Sequence, residues 1–427
     1  MTPTMQGLSA NTPHSREATP AQRPWLALIG IGEDGIDGLT TTARALVSDA
    51  AVVYGGERHL ELAATLIEGE ARAWPHPFSD AFPEIERLRG TAVAVLASGD
   101  PYFYGVGARL ARHVAPQETI AIPAPSSYSL AAARLGWSLP DTTLLTCCGR
   151  PVDLLAPHLQ PGRRLLVLCA DETTPGEIAG YLAGRGFGPS KIHVLEALGG
   201  PREKVRETTA KRFSLKKVDP LNLVAIEVEH GRGAHVIPLT NGLPDGLFET
   251  DGQLTKREIR AATLSALAPR IGEHLWDIGC GSGSISIEWM LRHPANTASA
   301  IERDRERAGR AARNAAHLGV PHLEVVRGAA PDALAGLPTP DAVFIGGGGQ
   351  GAGVIETAWE ALRPGGRLVV NSVTLETEAR LIAAHGSYGG SLTRLSVERL
   401  EKIGTRHGFR PAMTVTQWAV EKPEERR

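Results

Sequence analysis

One segment in the C-terminal half of the chain restricts the possible folds more than any other. Residues 275–278 form a mostly apolar run typical of a buried strand, residues 279–283 place a glycine at every second position, and a helix-like segment begins at Ser284. A further strand-like run ends at Glu302. This order of strand, glycine turn, helix and acid-tipped strand predicts a doubly wound α/β sheet that binds an adenosine-containing cofactor. Glu302 is then placed to accept hydrogen bonds from the ribose hydroxyls.

The spacing of the three glycines helps to select the cofactor. A dinucleotide fingerprint, Gly-x-Gly-x-x-Gly/Ala, needs a very small residue at its sixth position. Here the third glycine comes one residue early, at Gly283, and Ser284 occupies the sixth position. Gly-x-Gly-x-Gly is the usual pattern of S-adenosylmethionine-dependent methyltransferases. The glycines let the backbone approach the ligand, and the helix from Ser284 to Leu291 should offer unpaired N–H groups at its start.

Composition argues against several classes of protein. The net charge of −2 and the short basic run at residues 211–217 indicate no extended positive surface, so we expect no nucleic-acid partner. No window approaches the ~20 apolar residues of a membrane helix. Residues 1–23 lack the apolar core of a signal peptide and should form a disordered tail. The four cysteines have no metal-binding spacing, which predicts a reducing, cytoplasmic location and no metal site.

The length of 427 residues predicts about two to three domains. Strand-like and helix-like segments alternate from Trp25 onward, which indicates an N-terminal α/β unit of two lobes. This alternation lapses in a turn-rich passage and then begins again. The predicted organisation is a tail at 1–23, a two-lobed domain at 24–230, a linker at 231–252, a Rossmann-like domain at 253–420 and a tail at 421–427.

Local signals predict how two parts of the second domain are built. Thr255 precedes a helical pattern over residues 256–267, and Glu258 follows three residues later, so these two side chains should form a capping box. Strand candidates at residues 391–400 and 413–420 should supply an antiparallel edge to the parallel sheet.

Three positions at strand ends of this domain bear on the acceptor and the cofactor. Residues 346–349 are four glycines where methyltransferases of amino groups in nucleic acids or proteins carry a polar-Pro-Pro-aromatic tetrad. Glycines cannot grip a planar NH₂ group, so the tract favours a bulky acceptor instead. The Gly328-Ala329 pair either holds the adenine ring or starts a helix. Asn371 either faces the crevice or caps the helix at Thr374.

The N-terminal half carries three loop motifs, each at the end of a predicted strand. They are Gly30-Ile31-Gly32, the run from Ser98 to Gly105 that contains Asp100-Pro101 and Tyr104, and Pro125-Ser126-Ser127. The Asp100 carboxylate suits a sulfonium or amino group, and the serine hydroxyls can cap a helix at Tyr128 or touch a ligand carboxylate. Each motif alone is typical of a turn. Their order and spacing together are more specific.

These three motifs resemble those of the tetrapyrrole methylase family, whose members methylate uroporphyrinogen and precorrins. Residues 254–258, 277–283 and 362–366 resemble the companion methyltransferase of the corrin pathway. The fusion of both in one chain, over residues 25–420, is similar to the decarboxylating precorrin-6Y methyltransferase family of aerobic cobalamin biosynthesis.

The resemblance implies two methyl transfers from S-adenosylmethionine to ring carbons 5 and 15 of the precorrin, with loss of CO₂ from the ring C acetate, giving precorrin-8X. It assigns carbon 15 and the decarboxylation to the C-terminal domain, and carbon 5 to the N-terminal domain. It also implies a homo-oligomer and one cofactor site in each domain. The implied cofactor-binding residues are Thr255, Asp277, Gly279, Cys280, Gly281, Ser282, Gly283, Glu302, Gly328 and Ala329 in the C-terminal domain, and Gly32, Asp100, Tyr104, Ser126 and Ser127 in the N-terminal one.

The residues leave the partners of the substrate's carboxylates and the catalytic groups open. Arg150, Arg202, Lys204 and Lys256 lie in or beside loops of the predicted clefts, and each either pairs with a substrate carboxylate or is an ordinary surface charge. No residue is assigned as catalytic acid or base. Two alternative functions also stay open, a non-catalytic S-adenosylmethionine-binding sensor or scaffold and a methyltransferase of another large acceptor such as RNA.

Overall fold

A computed structural model describes residues 24–347 and 351–424. These residues form two compact units. The first comprises residues 24–139 with Leu195–Val205, and the second comprises Pro140–Val194 with residues 206–424. The boundary between the two units therefore separates the two lobes of the predicted N-terminal domain. The second lobe belongs to the same compact unit as the C-terminal domain.

A parallel sheet forms the centre of the first unit. Its strands are β1 (Leu26–Ile31), β2 (Val52–Gly55), β3 (Glu70–Ala73), β4 (Val93–Ser98) and β5 (Thr119–Ile122), and its helices are α1 (Thr41–Ser48), α2 (Glu57–Leu62), α3 (Ala81–Arg87), α4 (Gly107–Leu110) and α5 (Ser127–Leu135). The order is β3-β2-β4-β1-β5. Neighbouring residues of β1, such as Leu28 and Ile29, belong to separate apolar clusters. Both faces of the sheet are buried, which explains the nearly continuous apolar runs in these strands.

A second sheet belongs to the second lobe of the N-terminal half. Its strands are β6 (Thr142–Thr146), β7 (Arg164–Leu168), β8 (Lys191–Glu196), β9 (Lys204–Thr209) and β10 (Asn222–Glu227), with one helix, α6 (Thr174–Gly184). The order is β6-β7-β10-β8-β9, with β6 parallel and β10 antiparallel to β7.

The C-terminal half is built on a sheet of seven strands. The elements are α7 (Arg257–Leu267), β11 (His274–Ile278), α8 (Ser284–Met290), β12 (Thr297–Glu302), α9 (Arg305–His317), β13 (Glu324–Arg327), β14 (Ala342–Ile345), α10 (Val354–Ala361), β15 (Arg367–Ser372), α11 (Leu375–Tyr388), β16 (Ser391–Leu395), β17 (Glu398–Ile403), β18 (Arg406–Pro411) and β19 (Val415–Glu421). The order is β13-β12-β11-β14-β15-β19-β16. The α/β class and the Rossmann-like C-terminal fold are thereby confirmed. Strand β11 lies between β12 and β14, where the order reverses, so its carboxyl end opens into a crevice.

The two C-terminal strand candidates supply the predicted antiparallel edge, although the bounds of the first one differ. Residues 391–400 form β16 and the start of β17, and β17 pairs with β18 in a separate hairpin. Strand β19 lies between β15 and β16 and is antiparallel to both, so these two strands extend the sheet beyond its parallel part. Trp418 of β19 is fully buried, and an interior position in the sheet provides that burial.

The predicted capping box at the start of α7 is wrong. The N-cap residue is Lys256, whose side chain makes no capping hydrogen bond to the described residues. The Thr255 carbonyl instead accepts a hydrogen bond from Arg260, and Glu258 forms an ion pair with Arg399. The sequence signal was local, whereas the Glu258 side chain is engaged by Arg399 from a distant part of the chain.

The turn-rich passage before α7 is packed against the C-terminal core. Ile237, Leu243 and Phe248 are all buried in the core cluster of that domain. Glu288 of α8 accepts hydrogen bonds from the Gly242 and Leu243 N–H groups, at 2.7 and 2.9 Å. Arg260 donates to Glu288 at 2.5 Å, and both side chains are fully buried. This passage is therefore held in place by a buried ion pair.

Candidate functional site

The glycine loop at the carboxyl end of β11 has a conformation that requires its glycines. Gly279, Gly281 and Gly283 have φ values of +75°, +56° and +76°. A Cβ atom on Gly279 would lie 2.2 Å from the Gly347 carbonyl oxygen. Side chains are excluded here by backbone conformation, and at Gly279 also by close approach of the loop that follows β14.

Most backbone donors of this loop already have partners inside the protein. The Gly279 and Cys280 N–H groups donate to the Ile301 carbonyl, and the Gly283 N–H donates to the Cys280 carbonyl. The Gly281 N–H donates to Glu302 at 3.0 Å. Because these N–H groups are already bonded, the loop would contact a ligand through the shape of its backbone more than through hydrogen bonds. The Cys280 side chain belongs to the core, and burial raises the pKa of its thiol well above the usual range.

Asp277 is the most unusual charged group of the site. Its side chain is 1% exposed, and one oxygen accepts hydrogen bonds from the Ser286 N–H and hydroxyl at 3.1 and 2.7 Å. The other oxygen and the Ser282 hydroxyl are buried without a partner among the residues that the structure describes. Burial raises the pKa of Asp277 to about 6, against the effect of the Ser286 hydrogen bonds. Unsatisfied buried polar atoms beside a glycine loop indicate a ligand that completes them.

Glu302 connects the loop to the next two strand ends. One of its oxygens accepts from the Gly281 N–H and the other from the Asp304 N–H, both at 3.0 Å. Its carbonyl accepts from the Gly328 N–H, which brings Gly328 and the exposed Ala329 beside it. Each carboxylate oxygen has a second lone pair, so Glu302 can still accept from a ligand hydroxyl.

A polar residue that the sequence did not indicate, Asn314 of α9, holds the preceding segment against the glycine loop. Its oxygen accepts from the Glu249 N–H at 2.8 Å, and its amide donates to the Ser282 carbonyl at 2.9 Å. The Gln253 carbonyl lies 3.7 Å from a Cβ built on Gly281. The segment that leads to Thr255 therefore borders the glycine loop. In the sequence, an asparagine among the alanines and arginines of α9 is a weak sign of this contact.

In the first unit, three loops meet at the carboxyl ends of β1, β4 and β5. A Cβ on Gly30 would lie 1.8 Å from the Gly99 carbonyl oxygen and 2.4 Å from the Ala124 nitrogen. Gly99 has a φ of +56°, and its built Cβ would lie 2.9 Å from the Ser126 Cα. The three motifs singled out in the sequence are thus brought into contact, and glycine is required where they meet.

The candidate residues of these loops occupy different environments. Gly32 follows β1 and packs on Asp34, and Asp100 accepts a hydrogen bond from the Tyr102 N–H at 2.8 Å. Tyr104 has a φ of +56°, a strained value for a tyrosine, and nearly half of its side chain is exposed. Ser126 caps α5 by accepting from the Ser129 N–H, and Ser127 is the first residue of that helix. The helix cap is therefore confirmed for Ser126.

Asn371 does not cap a helix, and its amide group has hydrogen-bond partners. Its amide group donates to the Thr263 hydroxyl at 2.8 Å and accepts from Gln417 at 3.0 Å, while Thr374 itself caps α11. The cap interpretation of Asn371 is therefore wrong. In the glycine tract after β14, Gly348 and Gly349 lie outside the described residues, so the structure shows only its first two glycines.

Within residues 24–347 and 351–424, no group of three or more His, Cys, Asp or Glu side chains is arranged to hold a metal ion. No α-helix in these ranges combines the length and apolar content that a membrane span requires.

Comparison with known proteins assigns the chain to a family. Residues 26–214 match the family model of tetrapyrrole (corrin/porphyrin) methylases, and residues 246–422 match that of a precorrin methyltransferase domain. A Sinorhizobium protein named precorrin-6Y C(5,15)-methyltransferase [decarboxylating] is 57% identical over 93% of this chain and 96% of its own length. The chain belongs to this family. The resemblance proposed from the motifs is confirmed.

Other members of the precorrin-6Y methyltransferase family extend the match. A Mycobacterium tuberculosis protein of the same name is 39% identical over 93% of this chain and all of its own length. The crystal structure of the C-terminal domain of precorrin-6Y C5,15-methyltransferase from Rhodobacter capsulatus is 43% identical, covers 44% of this chain and all of that domain, and has a TM-score of 0.42. Methyltransferases of this kind use S-adenosylmethionine.

Proposed function

We propose that this chain methylates carbons 5 and 15 of a precorrin-6Y-type tetrapyrrole and removes CO₂ from its ring C acetate, giving precorrin-8X. The observation that carries the proposal is the 57% identity, over nearly the whole chain, with a relative named for that reaction. Two independent glycine-dependent loop sets support a two-site enzyme. One lies at the end of β1 in the first unit and the other at the end of β11 in the second.

In this proposal each loop set holds one molecule of S-adenosylmethionine, which supplies a methyl group on a positively charged sulfur. The residues of the C-terminal loop fit such a ligand. Asp277 and Ser282 have buried polar atoms without partners, which the ammonium group of the methionine portion would satisfy. Glu302 retains lone pairs for the ribose hydroxyls, and Gly328 and Ala329 lie beside it for the adenine ring. Thr255 would border the same ligand.

In the N-terminal site, Gly32, Asp100 and Ser126 would surround the second cofactor, together with Tyr104 and Ser127. The contact of the three loops at Gly30, Gly99 and Ala124 supports this assignment, because it brings the candidate residues to one edge of the sheet. Phe103 and Tyr104 stack at 5.2 Å between ring centroids and are both exposed. Such a surface can contact the flat face of an aromatic or conjugated ligand.

The chain's own contribution to the chemistry would be alignment and exclusion of water. The acceptor carbons belong to a conjugated, electron-rich system, so no strong nucleophile has to be generated. Correct positioning can lower the barrier by several kcal/mol, up to about 7–11 in ideal cases. The close contact of Gly279 with Gly347 limits the space for water beside the reacting groups. No residue is assigned as the base that removes a proton.

The proposal extends to assembly and location. A homo-oligomer is supported by the exposed apolar side chains of the β17–β18 hairpin, Leu400, Ile403 and Phe409. A monomer by light scattering at micromolar concentration would contradict it. A cytoplasmic location is supported by four free cysteines, which a reducing compartment maintains.

The decisive experiment is mass spectrometry of the tetrapyrrole after incubation of the full chain with S-adenosylmethionine and the reduced precorrin-6 intermediate. The expected product has gained two methyl groups and lost one CO₂. The Asp277→Asn variant should still produce the carbon 5 methylation while losing the C-terminal reactions. An unchanged tetrapyrrole, with cofactor binding retained by calorimetry, would overturn the proposal and favour a sensor or a different acceptor.

A further inference from the structure

A row of residues crosses the C-terminal sheet at the level of the glycine loop. The last paired residues of β11 and β14 lie in register with Val370 of β15, and the next residue on each of these strands belongs to the row. Antiparallel pairing extends the row through β19 to β16. In order across the sheet, it consists of Gly279, Gly346, Asn371, Gln417 and Thr393. Two residues without side chains are followed by three uncharged polar ones, so Asn371 is the first side chain beyond the glycines.

Asn371 lies on the same face of the sheet as Asp277. Leu275 and Val369, which precede these two residues by two positions, both belong to the core cluster that includes residues of α7 and α8. Residues two apart on a strand share a face. Neighbouring strands are separated by about 4.8 Å, which places the Asn371 backbone about 10 Å from that of Gly279. A ligand that extends from the glycine loop across the glycine of β14 therefore meets the Asn371 side chain.

The Asn371 amide is held by buried, uncharged partners. It donates to the Thr263 hydroxyl at 2.8 Å and accepts from the Gln417 amide at 3.0 Å. Thr263 is fully buried and Gln417 is 7% exposed, whereas Asn371 itself is partly exposed. These bonds use one of the two N–H groups and one of the two lone pairs of the Asn371 amide. The amide is therefore fixed in orientation and keeps one N–H for a ligand.

Helix α7 begins at the same edge of the sheet as the Asn371 side chain. Arg367, the first residue of β15, donates to the Leu267 carbonyl at the end of α7, at 2.9 Å. Asn371, further along this strand, contacts Thr263 in the middle of the helix. Helix α7 thus runs antiparallel to β15, and Thr255 just before it lies toward the carboxyl edge of the sheet. Asn371 is therefore at the edge where cofactor and acceptor have to bind.

An uncharged partner suits a carboxylate that is about to be lost. In decarboxylation the bond between the CH₂ carbon of the arm and its carboxylate breaks, and CO₂ leaves. The electron pair of that bond enters the conjugated ring system that methyl transfer has left electron-poor, and a proton from water then completes the methyl group. Because negative charge leaves the carboxylate in this step, a cation bound to it would stabilise the starting state more than the transition state. None of the five residues of the row carries a charge.

We propose that Asn371 binds the carboxylate of the acetate arm that the C-terminal site removes, with Gln417 and Thr263 as positioning residues. The inference rests on the proposed function, because it assigns a contact to that arm within the carbon 15 site. The amide N–H donates a charge-assisted hydrogen bond to one carboxylate oxygen, which orients the arm relative to the ring. The methionine portion of S-adenosylmethionine also carries a carboxylate, so the test has to distinguish the two sources.

The test uses the full chain and follows methyl gain and CO₂ loss separately by mass spectrometry, at varied tetrapyrrole and cofactor concentrations. Asn371→Ala should lower the fraction of carbon 15-methylated product that has lost CO₂ at least fivefold, while carbon 15 methylation itself changes less than threefold. Asn371→Asp keeps the size of the side chain but places a negative charge beside the arm. It should lower this fraction at least tenfold and raise the tetrapyrrole KM. Gln417→Leu, which removes the donor that orients the amide, should lower the fraction about threefold.

The controls separate this inference from a structural role and from the proposed function. Thr393→Val changes the exposed end of the same row and should leave all constants unchanged. Cofactor binding by calorimetry and carbon 5 methylation should be retained in every variant, which shows that the chain is folded. If the Asn371 variants lose unfolding free energy but keep the ratio of CO₂ loss to methylation, Asn371 is structural and the inference is refuted. A higher cofactor KM would assign Asn371 to the methionine carboxylate instead. Absence of carbon 15 methylation in the unmodified chain would refute the proposed function.

Discussion

The two candidate cofactor sites are proposed to bind the same cofactor but are built from different local structures. In the C-terminal domain one continuous loop supplies three glycines of positive φ, and its carboxylate, Asp277, is buried. In the first unit three separate loops meet at Gly30, Gly99 and Ser126, and the neighbouring aromatic side chains are exposed. A single-loop site is visible as a motif in the sequence, whereas a three-loop site depends on the sheet that brings its parts together.

The ion pairs near the two sites differ in the same way. Arg260 and Glu288 are fully buried and fasten the passage before α7. Arg58 and Glu33 form a pair of which one partner is one-third exposed. The ion pair near the C-terminal site is thus closed to solvent, whereas the ion pair near the N-terminal site is partly exposed to it. Four predictions test this contrast.

The largest expected effect is on stability. Glu288→Gln removes the fully buried carboxylate of Arg260, which then keeps its pair with the partly exposed Asp245, and should cost the second unit about 3–5 kcal/mol of unfolding free energy. The matched change Glu33→Gln should cost the first unit only about 1–2 kcal/mol, since its arginine partners reach solvent. Chemical denaturation of both variants measures the difference. Equal losses of unfolding free energy would show that the difference in burial does not change how much the two ion pairs stabilise the protein.

The second prediction concerns Gly279. Gly279→Ala places a methyl group 2.2 Å from the Gly347 carbonyl oxygen, so the loop has to move. Methylation at carbon 15 should fall about 100-fold, the usual consequence of misplacement by about 1 Å, while methylation at carbon 5 persists. Gly272→Ala is the control, because Gly272 also has a positive φ, +81°, but has open space around its Cβ position. An active Gly279→Ala enzyme would disprove the close-contact explanation.

The third prediction is a pH dependence of stability in the first unit. The pKa of His59 is about 4 in the folded chain and 6.5 in the unfolded chain, so the unfolded state binds more protons between these values. The neutral His59 ring therefore contributes fully to the free energy of unfolding above pH 6.5. This contribution, about 2 kcal/mol after allowance for solvent screening, is lost as the pH falls toward 4. Denaturation at pH 7.5, 6 and 5 measures it. The His59→Gln variant should lack this slope, and an unchanged slope would assign it to other groups.

The smallest expected effect is on cofactor affinity at the C-terminal site. Asp277 has a pKa of about 6, raised by burial, so below pH 6 it is mostly protonated. A cationic ligand favours the ionised form, and its affinity should fall about tenfold per pH unit below 6 while levelling off above 7. Calorimetry at pH 5, 6 and 7 measures this. Asp277→Asn should bind weakly at every pH, and a pH-independent affinity in the unmodified chain would exclude a contact between this carboxylate and the cation.

Local sequence patterns were enough wherever one continuous segment decides the structure. The glycine loop, strand β11 and the Ser126 cap follow from neighbouring residues and are found as predicted. The capping box at Thr255 was wrong, and the strand predicted over residues 391–400 is divided between β16 and β17. Contacts with distant segments contribute to both differences, because Glu258 pairs with Arg399 and β17 pairs with β18.

The sequence by itself determined the family, the α/β class and the positions of the glycine loops, because a turn with positive φ and a buried strand each depend on a few adjacent residues. Only the tertiary structure decided which distant side chains support those loops. Asn314 bridges Glu249 and Ser282, and Glu33 binds both Arg58 and Arg202, the second of which is 169 residues away from it in the sequence. Such contacts carry no periodic signal, since a hydrogen bond depends on distance in space and not on spacing along the chain.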